Sequence, residues 1–317
     1  MLFKKRNKPL AILGLQSLLK RLPNNHQHYT RIVEDLRKRE AGFAGEENFD
    51  RHINEFRPTY PYGLLHDVCL KQDGIFFQMD SLLITPANII IFEIKNLAGK
   101  IIVKANPTQF IQENNSQRKV IQNPITELDR KKIFLNRWLK ERGIALPIRT
   151  MVGLAFTNEL YIEEETCTTI VFNHEIPILL YRCSPESEKF GKTEISKIAD
   201  ELIREHQEYN PFPLAPKMNI HKHDILPGVI CPKCERRGMK WKKRRWTCTV
   251  CNFRAADCHE QSIDEWFYLI DKKITNSNFQ SFGCIEDRHV SKRLLQKSGL
   301  QMKGARKTAI YFREPFT

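Results

Sequence analysis

The segment Gly74–Asn96, GIFFQMDSLLITPANIIIFEIKN, constrains the fold of this chain more than any other. It predicts two strongly apolar strands, Ile75–Ile84 and Ile89–Lys95, joined by a turn at residues 85–88. In that turn, Pro presets φ at the second position and Asn tolerates the conformations that close it. Both strands are rich in Ile, Leu and Phe, as buried strands are. The segment therefore predicts a largely buried β-hairpin.

Four polar residues interrupt this hairpin: Gln78, Asp80, Glu93 and Lys95. If antiparallel pairing is centred on the Pro-Ala step, paired positions sum to 173, so that Asp80 faces Glu93 and Gln78 faces Lys95. Because the side-chain period of a strand is two, all four project from one face. Opposed carboxylates in an apolar setting repel each other unless a positive charge lies between them. The register therefore predicts a divalent-cation site with Lys95 beside it.

The alternative interpretation is a solvated hairpin face, on which Glu93 and Lys95 form a surface ion pair of little energetic value. Two features favour the cation site. The run IIIFEIKN is too apolar for a strand with one wet face, and the upstream segment AGFAGEENF supplies a third acid, Glu46. Residues His28–Phe56 have a helical pattern of apolar residues. Gly42 and Gly45 interrupt this pattern and predict that Glu46 begins a second helix, where a carboxylate also stabilises the helix N-terminus.

The order Asp80, hairpin, Glu93-Ile94-Lys95 resembles the D…ExK signature of restriction-endonuclease-like nucleases. A longer ordered set makes residues 35–180 similar to the NERD domain, the nuclease-related domain. This set consists of Gly45-Glu46, Gln78-Met79-Asp80, Phe92–Asn96 and Asn123-Pro124. The chain departs from the family pattern at Ser81, where His is frequent, and at Glu127, where Gln commonly follows the Asn-Pro pair.

The resemblance implies a divalent-metal-dependent nuclease, a hydrolase of phosphodiester bonds that acts on DNA or RNA, and DNA is predicted as the substrate before RNA. It implies that Asp80, Glu93 and the Ile94 carbonyl hold Mg²⁺ or Mn²⁺, with Glu46 as a further ligand or water partner. Lys95 would orient the attacking water or stabilise the transition state. The implied substrate contacts are Gln78 and Asn96. The competing function class is a non-catalytic nucleic-acid-binding or scaffold protein with a degenerate nuclease fold.

The order of the remaining segments is typical of an α/β domain with a mixed sheet flanked by helices, and the resemblance implies a restriction-endonuclease-like core. Further strands are predicted at Lys100–Lys104, Arg149–Phe156, Thr168–Phe172 and Ile176–Tyr181. Helices are predicted from the Asn123-Pro124 pair to Arg142 and over Ile195–Tyr209.

The net charge of the 317-residue chain is +14, and its isoelectric point is near 9.4, which predicts an anionic partner, nucleic acid before membrane. The excess is concentrated at one end. Residues 231–317 contain 19 Lys and Arg against 9 Asp and Glu. The C-terminal part is therefore expected to supply most of the affinity for nucleic acid.

Two CxxC pairs, Cys231–Cys234 and Cys248–Cys251, are separated by thirteen residues. Each pair offers two thiolates, and two pairs form the tetrahedral sulfur site that Zn²⁺ prefers, with no open position for catalysis. The motif resembles a structural zinc ribbon. The residues between the pairs are expected to contact nucleic acid, with core packing as the alternative for at least one Trp; the candidates are Lys242, Lys243, Arg244, Arg245 and Trp246.

The other five cysteines are scattered singly, which favours a reducing compartment and a cytoplasmic protein. Residues 1–22 begin with basic residues and continue with an apolar stretch that is too short to span a bilayer. We interpret this stretch as an amphipathic helix that packs on the body of the protein rather than on a membrane surface.

The C-terminal segment has a capping box at Ser262–Glu265, a basic helix over Asp287–Lys297 and a basic hairpin-like run. These features resemble a small winged-helix unit, with a protein-docking module as the alternative. The domain organisation predicted from all patterns is a helical extension (1–34), the NERD-like domain (35–209), a proline-rich linker (210–228), the zinc ribbon (229–256) and the C-terminal unit (260–317).

Overall fold

The structure, a computed structural model, describes residues 1–105, 107–115, 117–164, 166, 168–183, 189–305 and 308–313. The chain forms two compact units that are each discontinuous in sequence. The first unit comprises Met1–Asn7 and Glu40–Glu208, and the second comprises Lys8–Arg39 and Tyr209–Thr317. The sequence predicts a finer division into five segments, and those boundaries remain predictions.

A six-stranded mixed sheet forms the centre of the first unit, with strand order β1-β2-β3-β4-β8-β10. Its strands are β1 Leu2–Lys4, β2 Gly63–Gln72, β3 Ile75–Ile84, β4 Ile89–Lys95, β8 Ile148–Leu154 and β10 Thr169–Phe172. The predicted hairpin is therefore the middle of the sheet. β3 and β4 pair antiparallel, whereas β4 pairs parallel with β8.

The predicted register of the hairpin is confirmed. The pairs run from Ile84 with Ile89 to Ser81 with Phe92, so each pair sums to 173. The apolar pattern fixes this register, because a slip by one residue would move every side chain to the opposite face.

A second sheet of four strands has the order β7-β6-β5-β9. Its strands are β5 Lys100–Ala105, β6 Thr108–Asn114, β7 Gln117–Ile121 and β9 Glu159–Ile162. Helix α3, Pro124–Glu141, follows it and begins at Asn123, whose side chain caps the helix by accepting from the N–H of Ile125. The buried face of α3 covers one side of the six-stranded sheet with Leu128, Leu135 and Trp138.

Helix α2, Tyr29–Ile53, is continuous, so the prediction that Glu46 begins a second helix is wrong. A single glycine costs a helix only about 1 kcal/mol. Gly45 is needed for close packing, because a Cβ at this position would lie 2.6 Å from the Cβ of Asn96. The C-terminal part of α2 packs Phe49 and Ile53 against the second face of the six-stranded sheet.

The prediction of a strand at Ile176–Tyr181 is also wrong, because residues Ile176–Arg182 form helix α4. The β-branched run suggested a strand, but Pro177 suits the first turn of a helix, where its missing N–H costs nothing. Helix α5, Lys192–Glu205, agrees with the predicted last helix of this part. The whole unit is a mixed α/β fold with a mixed sheet flanked by helices, as predicted, and is consistent with a restriction-endonuclease-like core.

The second unit contains helices and two small sheets. Its helices besides the start of α2 are α1 Leu10–Arg21, α6 Leu214–Lys217, α7 His259–Leu269, α8 Asn276–Gly283 and α9 Arg288–Lys297. One sheet is β11 Lys240–Lys242, β12 Arg245–Thr247 and β13 Arg254–Ala255; the other is β14 Ile274–Thr275, β15 Gln301–Lys303 and β16 Ile310–Phe312.

Helix α1 packs into the core of the second unit, as the preferred interpretation of the N-terminal segment predicts. The guanidinium of Arg21 is fully buried; its Nε donates to Glu265 at 2.7 Å and its Nη2 to Ser262 at 3.2 Å. Ser262 and Glu265 lie within α7, so they do not cap its start as predicted. Among the described residues, no helix is both long and apolar enough to cross a membrane.

The proline-rich stretch 210–228 contributes Phe212, Leu214, Ile220 and Ile225 to the same core, so it is packed rather than solvated. After the cysteine pairs, the element order is α7, β14, α8, α9, β15 and β16, with sheet order β14-β16-β15. These elements are three helices and a three-stranded antiparallel sheet, and the winged-helix interpretation of this unit stays a prediction.

Candidate functional site

The α3 side of the hairpin carries a cluster of opposite charges. Lys131, on α3, hydrogen bonds to Glu93 and lies 3.8 Å from the carboxylate of Asp80. The other oxygen of Asp80 accepts from the backbone N–H of Ile94 at 2.8 Å. The two predicted acids therefore belong to one cluster, and Lys131 from α3 contacts both of them.

Lys95 continues this cluster. Its Nζ lies 2.8 Å from Glu93 and 2.9 Å from Glu127, which belongs to the first turn of α3. Burial alone would lower the pKa of Lys95, but the charges of Glu93 and Glu127 outweigh burial and raise it. Lys95 therefore stays cationic. Gln78, predicted to face Lys95, instead donates to Asp67 at 3.3 Å.

A second cluster surrounds Arg6, whose side chain is only 3% exposed. Its guanidinium donates to the carboxylates of Glu46 at 2.8 Å, Asp50 at 2.9 Å and Asp67 at 3.0 Å. It also donates to the backbone carbonyl of Asp80 at 2.9 Å. Arg6 therefore links Glu46 to the strand that carries Asp80.

A histidine lies beside the Ser81 position. Nδ1 of His66, on β2, is 2.8 Å from Oγ of Ser81 and 3.3 Å from Asp50. Although Asp50 favours the charged imidazole, burial and the nearby charges of Arg6 and Lys4 lower the pKa of His66 to about 4. The ring is therefore neutral at neutral pH.

Negative charge dominates where the two clusters meet. Burial, followed by the charge of Asp80, raises the pKa of Glu46 to about 8 in spite of Arg6. Burial and Glu93 likewise raise the pKa of Asp80, against the opposing effect of Lys131. The nearby cations therefore do not fully compensate the negative charge of either carboxylate.

A count of charges leads to the same conclusion. Six carboxylates surround four cationic side chains in the described part of this site, which leaves a net charge of −2 if all are ionised. The acids are Glu46, Asp50, Asp67, Asp80, Glu93 and Glu127, and the cations are Lys4, Arg6, Lys95 and Lys131. An oxygen-rich, electron-rich donor set of this kind suits a hard divalent cation.

The backbone at Ile94 is oriented suitably for its predicted role. The carbonyl of Lys95 accepts from the N–H of Ala155, so it points toward β8. Since successive peptide groups of a strand point to opposite sides, and the N–H of Ile94 points to Asp80, the Ile94 carbonyl leaves the strand on the Asp80 side. Asn96, predicted to contact substrate, donates instead to the carbonyl of Ala41 at 2.5 Å and packs on Gly45.

Sequence reasoning did not find Arg6, Lys131, Asp50, Asp67 or His66. No spacing links Arg6 to the hairpin, since 74 residues separate it from Asp80. Lys131 had a detectable signal: it stands four residues after Glu127 on α3, on the same side of the helix.

The four cysteines of the two CxxC pairs form the second candidate site. Their sulfur atoms all lie within 4.8 Å of one another, and among the described residues they are the one His, Cys, Asp or Glu group compact enough to share a metal ion. Cys231 and Cys251 are 3.6 Å apart, as are Cys234 and Cys248. A Zn–S bond of about 2.3 Å in a tetrahedron requires sulfur atoms about 3.8 Å apart.

Backbone N–H groups prepare one of these thiols for ligation. The N–H groups of Cys251 and Val250 point at Sγ of Cys248 and lower the pKa of its thiol to about 6. Metals bind the thiolate, so this shift favours coordination at neutral pH. The cluster is consistent with a zinc ribbon.

The hairpin of β11 and β12 shows whether Trp246 is exposed to a ligand or packed in the core. Trp246 is fully buried, and its indole N–H donates to His259 at 3.2 Å, so the prediction that Trp246 stacks on substrate is wrong. Lys242 and Arg245 pair across the hairpin, and the two-residue turn between them is Lys243-Arg244. All four basic residues are exposed.

Comparison with known proteins adds a family assignment for one part of the chain. Residues 41–155 match the family model described as "NERD: Nuclease-related domain". The chain therefore contains a nuclease-related domain, which includes β3, β4, α3 and all predicted acidic residues. Searches of the curated proteins and of the solved structures found no significant match.

Proposed function

We propose that the protein is a divalent-metal-dependent nuclease that hydrolyses phosphodiester bonds, with DNA as the preferred substrate. The observation that carries this proposal is the meeting of Asp80, Glu93 and Glu46 beside Lys95 in a nuclease-related domain. Their shared excess of negative charge calls for a cation, and their oxygen donors suit Mg²⁺ or Mn²⁺.

Asp80, Glu93 and the Ile94 carbonyl would hold the ion, with Glu46 as a further ligand or as a partner of a bound water. When bound, the ion would supply Lewis-acid stabilisation of the phosphate oxygens and would make water more acidic. Within the protein, Lys95 donates hydrogen bonds to the attacking water or to the charge that develops on the phosphate. Glu127 keeps Lys95 oriented and charged.

Lys131 and Arg6 have separate tasks in this proposal. Lys131 balances Asp80 and Glu93 before the cation binds and is then available to the phosphate. Arg6 does not touch substrate; it holds Glu46 and the Asp80 backbone in place. We further propose that the four cysteines bind one Zn²⁺ with a structural role and that the basic residues of the second unit bind the nucleic-acid backbone.

One observation favours the competing function, a non-catalytic nucleic-acid-binding protein. Within the described residues, no three carboxylates lie as close together as the four cysteines do, because Lys131 and Arg6 lie between the acids. In a degenerate site, these cations would replace the metal permanently.

Cleavage assays separate the two functions. Plasmid, linear duplex, single-stranded DNA and RNA are incubated with the protein and Mg²⁺, Mn²⁺ or EDTA, using wild type, Asp80→Ala and the control Asp129→Ala, an exposed acid on α3. Cleavage that requires metal and Asp80 but not Asp129 supports the nuclease. Binding without cleavage under every condition supports the competing function.

A further inference from the structure

A cavity of about 660 Å³ opens beside the acidic cluster of the first unit. Its volume lies within the range of small-molecule sites. One wall consists of β3 residues and Glu46, and the other consists of the start of α3. The β3 residues are Phe76, Phe77, Gln78 and Asp80; the residues at the start of α3 are Gln122, Asn123, Thr126, Glu127, Arg130 and Lys131.

The β3 wall presents an aromatic ring in line with a catalytic candidate. Phe76 and Gln78 are alternate residues of β3, so they project from one face of the strand, and Phe76 lies about 13 Å from Asp80 along it. Phe76 is 54% exposed, whereas Phe77 turns inward and stacks on Phe134. The ammonium of Lys71, on β2, lies 5.2 Å from the centre of the Phe76 ring, and the largely exposed ring offers the rest of its apolar surface to a flat ligand.

The α3 wall supplies polar groups at the other side of the cavity. Asn123 uses Oδ1 to cap α3, and its Nδ2 is buried without an acceptor in the described part of the chain. A buried donor without a partner costs free energy, which a ligand acceptor would recover. Arg130 adds an exposed guanidinium, and Gln122 adds an exposed amide.

We propose that this cavity binds an unpaired nucleotide of the strand that is cut. Phe76 stacks on the base, the amides of Gln78 and Asn123 bond its edge, and Arg130 pairs with a neighbouring phosphate. A base inside an intact duplex cannot enter, because it is paired and stacked on both sides. The inference rests on the proposed nuclease function and specifies its substrate class as single strands or unpaired ends.

The test measures binding, so that it does not depend on cleavage. Fluorescein-labelled oligothymidylate and a blunt hairpin duplex are titrated with full-length protein in buffer without added Mg²⁺ or Mn²⁺, and anisotropy is recorded for wild type, Phe76→Ala, Phe76→Trp and Ile75→Ala. Ile75 is a matched control, because it is 44% exposed and belongs to the opposite face of β3. Thermal melting verifies that each variant is folded.

Phe76→Ala is expected to weaken binding of the single strand roughly 5- to 100-fold, the range for loss of one stacking contact. Duplex binding should change less than about twofold, since that ligand does not use the cavity. Phe76→Trp should restore single-strand affinity, and Ile75→Ala should leave it unchanged. Asn123→Ser, which keeps a helix cap but removes Nδ2, should weaken single-strand binding alone.

Equal losses for both ligands, or no loss for either, overturn the proposal. The outcome is separable from that of the nuclease. If Phe76 governs single-strand binding but no metal supports cleavage, the cavity stands and the activity falls. If cleavage occurs and Phe76→Ala leaves the preference for single strands unchanged, the activity stands and the cavity assignment falls.

Discussion

The carboxylate of Asp80 accepts a hydrogen bond from the backbone N–H of Ile94 at 2.8 Å. This bond lies just beyond Ser81 and Phe92, the last backbone pair of the hairpin. A side chain thus replaces the backbone partner at this point and links the Asp position directly to the Glu-Ile-Lys strand. The Ile94 carbonyl is consequently left on the side where a cation would lie.

Lys95→Ala should impair cleavage without impairing metal binding, which separates the role of the lysine from that of the acids. Cleavage is expected to fall roughly 10²- to 10³-fold, as it does when one donor to developing charge is removed. Binding of Mn²⁺ should be unchanged or tighter, because a competing cation next to Glu93 is gone. Glu93→Gln should lose both properties, and the exposed Lys132→Ala should lose neither. Calorimetric titration and a cleavage assay on the same samples give the comparison; loss of Mn²⁺ binding in Lys95→Ala would contradict this assignment.

Arg6→Ala should destabilise the first unit by about 3–5 kcal/mol, the usual effect of removing one partner from a buried ion pair. Glu46, Asp50 and Asp67 would lose their shared counter-charge. Denaturant unfolding of the variant is compared with that of Lys5→Ala, which removes a neighbouring exposed charge. Equal stability of the two variants would show that Arg6 contributes nothing beyond surface charge.

His66 should contribute stability that rises with pH between about 4 and 6.5. Its pKa is about 4 in the folded protein, against an ordinary value of 6.5 for histidine, so the unfolded His66 binds more protons in this window. The contribution of His66 over the window is on the order of 3 kcal/mol. Glu46 opposes it, because its raised pKa makes the folded chain bind more protons there. His66→Asn cannot titrate, so its stability should rise less with pH than that of wild type, whereas the exposed His174→Asn should follow wild type. Denaturant unfolding across this pH range decides; parallel curves for His66→Asn and wild type would refute the assignment.

The four cysteines should bind one zinc ion per chain. Cys248→Ser is expected to lose the metal and to unfold the ribbon, because metal binding and folding are coupled in such sites. Cys284→Ser, an exposed cysteine outside the cluster, should retain the metal. Elemental analysis provides the measurement, and a zinc content well below one per chain in the wild type contradicts the prediction.

The tip of the ribbon offers a way to remove charge without damage to the fold. Lys243 and Arg244 have φ values of 49° and 62°, the conformation of a type I′ turn, which favours Asn-Gly. Lys243→Asn with Arg244→Gly should therefore preserve the fold or stabilise it. If both residues contact phosphates, the slope of log affinity against log salt should decrease by about 1.8.

A control for this experiment uses Lys292→Gln with Arg293→Gln, which removes two exposed charges from α9. A changed slope in this control and an unchanged slope in the tip variant would assign backbone binding to α9 instead. Truncation at Gly228 would be a poor test of the same point. Residues 209–317 and 8–39 share one core, so truncation would expose the apolar residues of the part that remains.

The sequence predicted the hairpin, its register and the meeting of Asp80 with Glu93, because a strict period of two and a proline turn leave few alternatives. It did not predict the cations that surround them. Arg6 reaches the site through the pairing of β1 with β2, and Lys131 reaches it through the packing of α3 on the sheet. Such long-range placements leave no local pattern in the sequence.

The remaining errors have two physical causes. Tertiary packing overrode local preference at Gly45, where close contact with Asn96 suits a continuous helix, and at Ile176–Arg182, where β-branched residues form a helix. The second cause is discontinuity. The second unit joins residues 8–39 to residues 209–317, and a segment-by-segment interpretation of the sequence cannot join parts that are so far apart.

Arg6 lies 35 positions before the first residue of the matched nuclease-related domain, yet three acids of the site share its charge. The range matched by the family model therefore does not contain every residue of the candidate site. In evolutionary terms, the two parts have to be inherited together: a recombination event that transferred residues 41–155 alone would deliver the acids without the arginine that holds them. Any recipient protein would need to supply an equivalent cation from its own chain.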